Sequence, residues 1–412
     1  MTAVEVYLAQ VDGDRLVGRA HFTRQRRVIS TTFLYDPTYL AVGGPNIDPA
    51  FMLVTGSQHQ QGLPGSFADT APDRWGRNLI EKAERVVARE EGRVPRSLDD
   101  LDFLLGVSDD TRQGALRFRY VDATEFLGKP STVPKLIALP TLLRASDELV
   151  STDDSAPAVK QLLDTGTTGL GGARPKASVR LDDGGLAIAK FPHSSDGWDV
   201  MAWEATALDL LEVAGVRTPE RILARIGDRS VLVLRRFDRT RTGERIGYIS
   251  AMTATQSRDG EQRDYVDIAQ AVRDISSNPK QDLRELFHRV AVSVAIGNTD
   301  DHLRNHGLLN DGDLWRLSPV FDVNPNPDLA RSRSTTICGA DILNDEPDGL
   351  LALAQDCDLT QPQAVGIIAD VCQRLAGWRD YARNNAVPGR ELSMMAYAID
   401  SRLKALQAIT QR

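Results

Sequence analysis

The chain has 412 residues, 42% of them hydrophobic and 26% charged, with a net charge of −8. That balance excludes a disordered or fibrous chain and fits about two or three globular domains of roughly 150 residues each. The acidic total also argues against a protein that coats nucleic acid unaided, because neutralising phosphates needs a concentrated basic surface. No apolar run approaches the roughly 18 residues of a bilayer span, and the start, MTAVEVYLAQVDGDR, is neither basic nor strongly apolar, so a cytoplasmic location is expected. Cys338, Cys357 and Cys372 share no close spacing, and reduced thiols are expected rather than a disulfide framework or a zinc knuckle.

In chain order, the first ~125 residues mix strand-like runs (VEVYL, RLVGRAHF, TTFLYD) with helical patterns. The clearest of these is PDRWGRNLIEKAERVVAREE, with Pro72 in its first turn. Pro and Ser/Thr punctuation around one helical patch places a module boundary between 128 and 158. From Gly166 a glycine-rich loop, GTTGLGGARPK, precedes two apolar runs, KASVRL and GLAIAKF, joined by the hairpin signal DDGG. A helix opens near Asp199, carries Val200, Ala207, Leu208 and Leu211 on one stripe, and closes at Gly215. The strand RSVLVLRRF leads into an arginine-rich stretch, nine arginines against four acids between Arg217 and Arg245, which reads as the solvated face of a basic hairpin. Beyond Asp282 the pattern is mainly helical, beginning with Leu283, Leu286, Phe287, Val290 and Val294 before Gly297.

Three features carry chemistry. Glu204 lies on the apolar stripe of its helix, where an ionised carboxylate costs several kcal/mol unless paired. Lys190, a lone charge in the run AIAKF, is the expected partner, because a strand lysine with a helix glutamate is how protein kinases hold nucleotide phosphates. Second, Gly166, Gly169, Gly171 and Gly172 would let backbone N–H groups approach phosphate oxygens, with Arg174 and Lys176 adding positive charge. Third, IGNTDDHLRNHGLL places Asp300 five residues before Asn305, the spacing of a catalytic aspartate and a Mg²⁺-binding asparagine in kinase catalytic loops. Asp322 then follows two strand runs around NDGD, where a second metal-binding aspartate belongs. A transition-metal cluster of Asp300, Asp301, His302 and His306 is the competing reading, but no HExxH pattern accompanies it. His302 is expected to brace the loop, while His306, like His21, His59, His193 and His288, reads as an ordinary polar residue.

These residues resemble the HipA family, the serine/threonine kinase toxins of bacterial toxin–antitoxin pairs. The likeness rests on GLGGARPKA (169–177), LRRFDR (234–239), GNTDDHLRNH (297–306), LSPVFDVNP (317–325) and, nearer the start, LDDLDFLLGVSDDTRQGALRF (98–118). The resemblance implies an α+β, bilobed protein-kinase-like fold with an additional N-terminal α+β subdomain and a mainly helical C-terminal lobe. Residues 1–125 would form the N-terminal subdomain, 126–238 the kinase N-lobe region and 239–412 the helical C-lobe. It further implies ATP and Mg²⁺ as cofactors, Asp300 as catalytic base, and Asn305 and Asp322 as metal ligands. Gly171, Gly172, Ala173, Arg174, Pro175 and Lys176 would form the phosphate loop, Lys190 the phosphate-contacting lysine, and Arg235, Arg236 and Phe237 the hinge that meets adenine. Glu204, His302, Leu303, Arg304 and Phe321 complete the expected nucleotide-binding set.

The partners so implied are a HipB-like helix-turn-helix antitoxin, a protein substrate such as an aminoacyl-tRNA synthetase, and DNA only indirectly through the antitoxin. Family members often carry a serine just before the loop, whose autophosphorylation expels it. Gly169 stands there in this chain, so either Thr167 or Thr168 takes that role or the device is absent. Two alternatives use the same residues: a small-molecule phosphotransferase, and a catalytically silent partner in an antitoxin–DNA complex.

Overall fold

The computed structural model describes residues 2–25, 28–128, 131–151, 155–166 and 172–411. The chain divides into two compact units, Met1–Ser195 with Ala224–Ile249, and Asp196–Leu223 with Ser250–Arg412. Each mixes helix and strand, as the expected α+β class requires.

The first unit begins with an antiparallel five-stranded sheet, β1 (Thr2–Leu8), β2 (Arg15–Gln25), β3 (Val28–Tyr35), β4 (Ser57–Gln61) and β5 (Leu116–Tyr120), in the order β4-β3-β2-β1-β5. Its strongest alternation is in β3, where Ile29, Thr31, Phe33 and Tyr35 point inward and their neighbours outward. Phe33 stacks on Phe51 at 5.0 Å and meets Tyr35 and Phe67 edge to face, which centres the core under the sheet. A second sheet has the order β6 (Lys176–Arg180), β7 (Leu186–Lys190), β9 (Arg229–Arg235) and β8 (Arg221–Ile226). β6 and β7 form the hairpin that DDGG announces, with Ala177 opposite Ala189 and Val179 opposite Ala187.

The longer helices beside these sheets are α1 (Arg74–Glu90), α2 (Asp100–Gly106), α3 (Leu139–Ser151) and α4 (Ala156–Asp164). Leu101 and Leu104 of α2 join the core of the first sheet. Trp75 and Leu79 of α1, Leu142 and Leu149 of α3, and Leu162 of α4 share one apolar cluster with Val179, Phe191 and Val231 of the second. The segment 128–158 thus carries parts of two packed helices. α1 opens at Arg74 rather than at Pro72, whose carbonyl accepts a hydrogen bond from Arg77 Nε at 3.0 Å instead.

The arginine-rich stretch is not the solvated face that its charge count suggested. Arg236 and Arg239 are buried around Asp238, with Arg236 Nε 2.8 Å from Oδ1 and Arg239 Nη1 2.9 Å from Oδ2. Both also donate to carbonyls of the turn before β5, Arg236 to Thr111 at 2.5 Å and Arg239 to Arg112 at 2.7 Å, while Asp238 accepts the Gly114 N–H at 2.8 Å. Farther along, Arg245 pairs with Asp109, Arg229 with Asp147 and Arg235 with Asp183. Of these acids only Asp238 lies within the stretch; Asp109, Asp147 and Asp183 come from outside it, Asp109 from 136 residues before Arg245.

The second unit is mainly helical. α5 (Val200–Val213) is capped by Asp199, whose side chain accepts the Ala202 N–H, and is followed by Gly215 at φ +83°. The expected apolar stripe understates it: α5 is buried nearly all round, Trp203 and Leu210 included. α6 (Tyr265–Ile275) and α7 (Pro279–Ile296) come next, then the hairpin β10 (Gly307–Asp311) and β11 (Leu314–Leu317), and finally α8 (Glu346–Asp356), α9 (Gln361–Leu375) and α10 (Gly389–Ile409). α7 is buried from Arg289 through Ile296 and ends in the left-handed Gly297, as a helix closed by glycine does. No helix among the described residues is long and apolar enough to cross a membrane.

Burial pushes the Asp238 carboxyl upward, but Arg236 and Arg239 more than offset this and hold it well below the usual carboxylate range. Its contribution to stability is therefore complete above the unfolded value of about 4 and is lost as pH falls through the depressed folded value. Asp238→Asn, which leaves two buried guanidiniums without their counter-charge, is expected to cost about 3 kcal/mol or more in urea denaturation at pH 7. The difference from wild type should narrow in acid.

Candidate active site

The Asp300–Asn305 loop leaves α7 at Gly297 and has almost no regular structure of its own, only a single 3₁₀ turn at Leu303–Asn305. Its order comes from buried polar contacts. Asp301 is buried, with Oδ1 3.0 Å from His306 Nε2, and Oδ2 accepting hydrogen bonds from the Tyr265 hydroxyl and, at 3.1 Å, from Ser293 Oγ. Burial alone would raise the Asp301 carboxyl. His306, the Tyr265 hydroxyl and Arg333 reverse this and hold it far below the ordinary range. Tyr265 is pushed well above its ordinary value, by burial first and by the Asp301 charge second.

The backbone is tied as well. Thr335 Oγ1 donates to the Asp301 carbonyl at 2.6 Å, and the Ser334 N–H donates to the Thr299 carbonyl at 2.9 Å, so the later segment grips the loop on both sides of residue 300. Arg333 is buried, donating to Glu346 at 2.9 Å and to Ser293 Oγ at 3.1 Å; Arg402 closes on the other oxygen of Glu346.

On this support Asp300 points the other way from Asp301: its side chain is 64% exposed, and Arg331 Nη2 lies 3.8 Å from Oδ1. Asn305 donates its Nδ2–H to the Asp300 carbonyl at 3.1 Å, and among the described residues its Oδ1 takes no hydrogen bond. Asp322 follows the β10–β11 hairpin, whose exit is fastened by the fully buried Asp282 through the Leu317 N–H at 3.1 Å and Arg316 at 3.2 Å. Asp322 adopts φ +58°, a left-handed conformation that few residues beyond glycine, asparagine and aspartate take up. Two contacts bring its segment to the root of the loop: the Asn324 N–H on Asn298 Oδ1 at 3.2 Å, and the Asn326 N–H on the Gly297 carbonyl at 3.1 Å.

The structure thus gathers Asp300, Asn305 and the segment of Asp322 around one loop root. Leu303 is buried, Phe321 half-buried, and Arg304 pairs with Asp259 at 2.9 Å. His302 differs from expectation: it is exposed, and its ring makes no hydrogen bond among the described residues. The bracing histidine is His306, which the sequence pattern passed over. Glu204 is buried on α5, 1% exposed.

In the first unit, Lys190 ends β7 directly opposite Lys176 of β6, and both are buried. Gly171, with Thr167, Thr168 and Gly169, lies outside the described residues. The described end of the loop is anchored: Gly172 donates its N–H to Asp73 at 2.7 Å and accepts from the Trp75 N–H at 3.2 Å. Ala173 is exposed, Arg174 half-buried and Pro175 buried. The Arg236 N–H continues the sheet to Leu186 O at 3.0 Å, and the ring of Phe237 lies 6.5 Å from that of Tyr248. No group of three His, Cys, Asp or Glu side chains among the described residues could hold a metal ion by itself.

The chain matches the family model of the HipA N-terminal domain over residues 6–119 and that of the HipA-like C-terminal domain over residues 168–378. It belongs to the HipA family. A chain in the solved complex of HipA, HipB and operator DNA from the Shewanella oneidensis MR-1 toxin–antitoxin system matches this HipA-family fold with a TM-score of 0.68. That match has 15% identity and covers 98% of this chain and 97% of that one. A kinase candidate of Sinorhizobium fredii, Y4mE, is 24% identical over 181 residues, 37% of this chain and 41% of the relative, so less than half of that relative's length is spanned. The Helicobacter pylori proinflammatory kinase CtkA is more distant, with a TM-score of 0.41 and 14% identity over 58% of this chain and 93% of that one.

Replacing Tyr265 by Phe removes one donor from the buried Asp301 carboxylate and should destabilise the protein by about 1.5–3 kcal/mol. Because the folded Asp301 value is depressed, the loss should be full above about pH 4 and shrink in acid, which denaturant melts of both proteins across pH would measure.

Proposed function

We propose that this HipA-family chain is an ATP- and Mg²⁺-dependent serine/threonine protein kinase, the toxin of a toxin–antitoxin pair. The observation that carries the reading is the split between adjacent acids. Asp301 is locked in the interior, whereas Asp300 is held out at a fixed place above Asn305.

Asp300 would orient the acceptor hydroxyl and take its proton, which requires an approach of about 2.6–3.2 Å that its exposure permits. Asn305 Oδ1 and the Asp322 carboxylate are hard oxygen donors and suit Mg²⁺, which binds through one or two protein ligands and completes its shell with water and phosphate. When bound, that ion would offset charge on the phosphates. Lys190 and Lys176, both buried, would face the phosphates, with residues 171–175 beside them. Arg235 to Phe237 would meet adenine through backbone groups, because the Arg236 side chain is already engaged with Asp238 and the Thr111 carbonyl. Glu204, His302, Leu303, Arg304 and Phe321 would surround the nucleotide.

The partner would be a HipB-like helix-turn-helix antitoxin, since the solved relative was captured with HipB on operator DNA. The net charge of −8 agrees with DNA reached through that partner rather than directly. The acceptor would be a protein of translation such as an aminoacyl-tRNA synthetase, in the cytoplasm.

Asp300→Asn should fold and bind Mg²⁺–ATP like wild type in titration calorimetry, yet transfer label from ATP at least about 100-fold more slowly. Label arriving on a soluble metabolite instead of protein would favour a small-molecule phosphotransferase. Nucleotide turnover equal in wild type and variant would refute the assignment, and co-purification with a helix-turn-helix protein without turnover in either would point to a silent partner.

A further inference from the structure

Arg331 is assigned no role by the reading above, yet among the described residues it is the cation that pairs with the proposed base. Its Nη2 stands 3.8 Å from Asp300 Oδ1, beyond hydrogen-bonding reach but well within electrostatic range, and its side chain is 49% exposed. Chance does not hold it there. Two residues later Arg333 is buried against Glu346 and Ser293, and its N–H donates to the Asp341 carbonyl at 2.8 Å. The next two residues grip the carbonyls of Thr299 and Asp301, on either side of Asp300. The backbone that carries the guanidinium is therefore fixed in register with the carboxylate. Other cations nearby are already committed, Arg304 to Asp259 and Arg263 to Glu261.

We infer that Arg331 is a phosphoryl-contacting residue that pairs with Asp300 before transfer and with the moving phosphoryl group during it. This rests on the kinase reading. In the step, the acceptor oxygen forms a bond to the γ-phosphorus of ATP, the bond from that phosphorus to the β–γ bridging oxygen breaks, and ADP leaves. The acceptor proton passes to Asp300. As Asp300 becomes neutral, the charge of Arg331 loses its counterpart at the moment the phosphoryl group reaches the oxygen that Asp300 had held. Its attraction to phosphate is thus greater in the transition state than in the ground state, and only such a difference accelerates the chemical step. A lysine would keep the charge without the planar fork that matches phosphate oxygens.

The test reads binding rather than turnover. Wild type, Arg331→Ala and Arg331→Lys are titrated with ADP and Mg²⁺, then with ADP, Mg²⁺ and aluminium fluoride as a mimic of the transferring group. Aluminium fluoride should tighten binding to wild type, and Arg331→Ala should reduce that gain by about tenfold or more while changing ADP–Mg²⁺ affinity less than about twofold, with Arg331→Lys between them. The same variants should lower kcat on myelin basic protein and leave KM for ATP alone. Equal tightening in all three proteins would overturn the assignment while leaving the kinase reading intact. A defect confined to KM for the protein acceptor would also overturn it, making Arg331 an acceptor-binding residue. Failure of wild type to take up ADP–Mg²⁺ at all would sink the kinase reading, and this one with it.

Discussion

The second unit depends on one buried negative charge. A carboxylate removed from water costs several kcal/mol, and a lone one would protonate or drag its loop outward. Asp301 stays ionised because a histidine, a tyrosine hydroxyl and a serine hydroxyl converge on its two oxygens, with Arg333 behind the serine. These groups come from α6, from α7, from the end of the loop and from the later segment at Arg333, so satisfying the charge ties the end of α7 to the loop that carries residue 300. Asp300 and Asp301 are neighbours of identical chemistry, yet one is buried among donors and the other is held out at the surface. Environment, not residue type, separates the buried acid from the exposed one.

The first unit solves a related problem with the opposite sign. The turn at 109–114 has backbone carbonyls and no strand partner to receive them, and buried carbonyls need donors. Arg236, Arg239 and Arg245 supply those donors, while Arg112 of the turn itself donates outward to the Leu104 and Val107 carbonyls, each guanidinium reaching several acceptors at once. The arrangement concentrates positive charge out of water, and burial draws Arg112 and Arg239 down to about 9. Asp109 and Asp238 keep it tolerable. The cations therefore act as connectors inside the protein rather than as a basic surface.

What was legible in the sequence was whatever depends on spacing along the chain. The α7 stripe ending at Gly297, the DDGG and NDGD hairpins and the cap at Asp199 all appear where local pattern placed them. Partnership was not legible. The periodicity of α5 was read as a stripe because its remaining face is also apolar or small, a pattern that does not tell a surface helix from a buried one. His302 and His306 are equivalent in the linear motif, and only the 3₁₀ turn between them sends one outward and the other onto Asp301. Asp73 stands at the N-cap of α1 without a capping bond from its side chain; its carboxylate accepts the N–H of Gly172, 99 residues on. Glu346, which joins Arg333 to Arg402, stands in no motif at all.

The left-handed Asp322 follows from the same economy of contacts. An aspartate at φ +58° costs on the order of 1–2 kcal/mol relative to an ordinary conformation, so something must hold it. The restraint runs from the loop root, where Asn298 and Gly297 accept the N–H groups of Asn324 and Asn326. That approach requires residue 297 to lack a side chain, since a Cβ there would stand 3.1 Å from the Asn326 carbonyl and 3.0 Å from Arg402 Nε. Arg402 binds Glu346, Glu346 binds Arg333, Arg333 reaches Ser293, and Ser293 reaches Asp301. The backbones bearing Asp300 and Asp322 are therefore set by one circuit of buried polar contacts beneath them. Such an arrangement sets the backbone positions of residues 300 and 322 from the interior, through groups that are themselves buried.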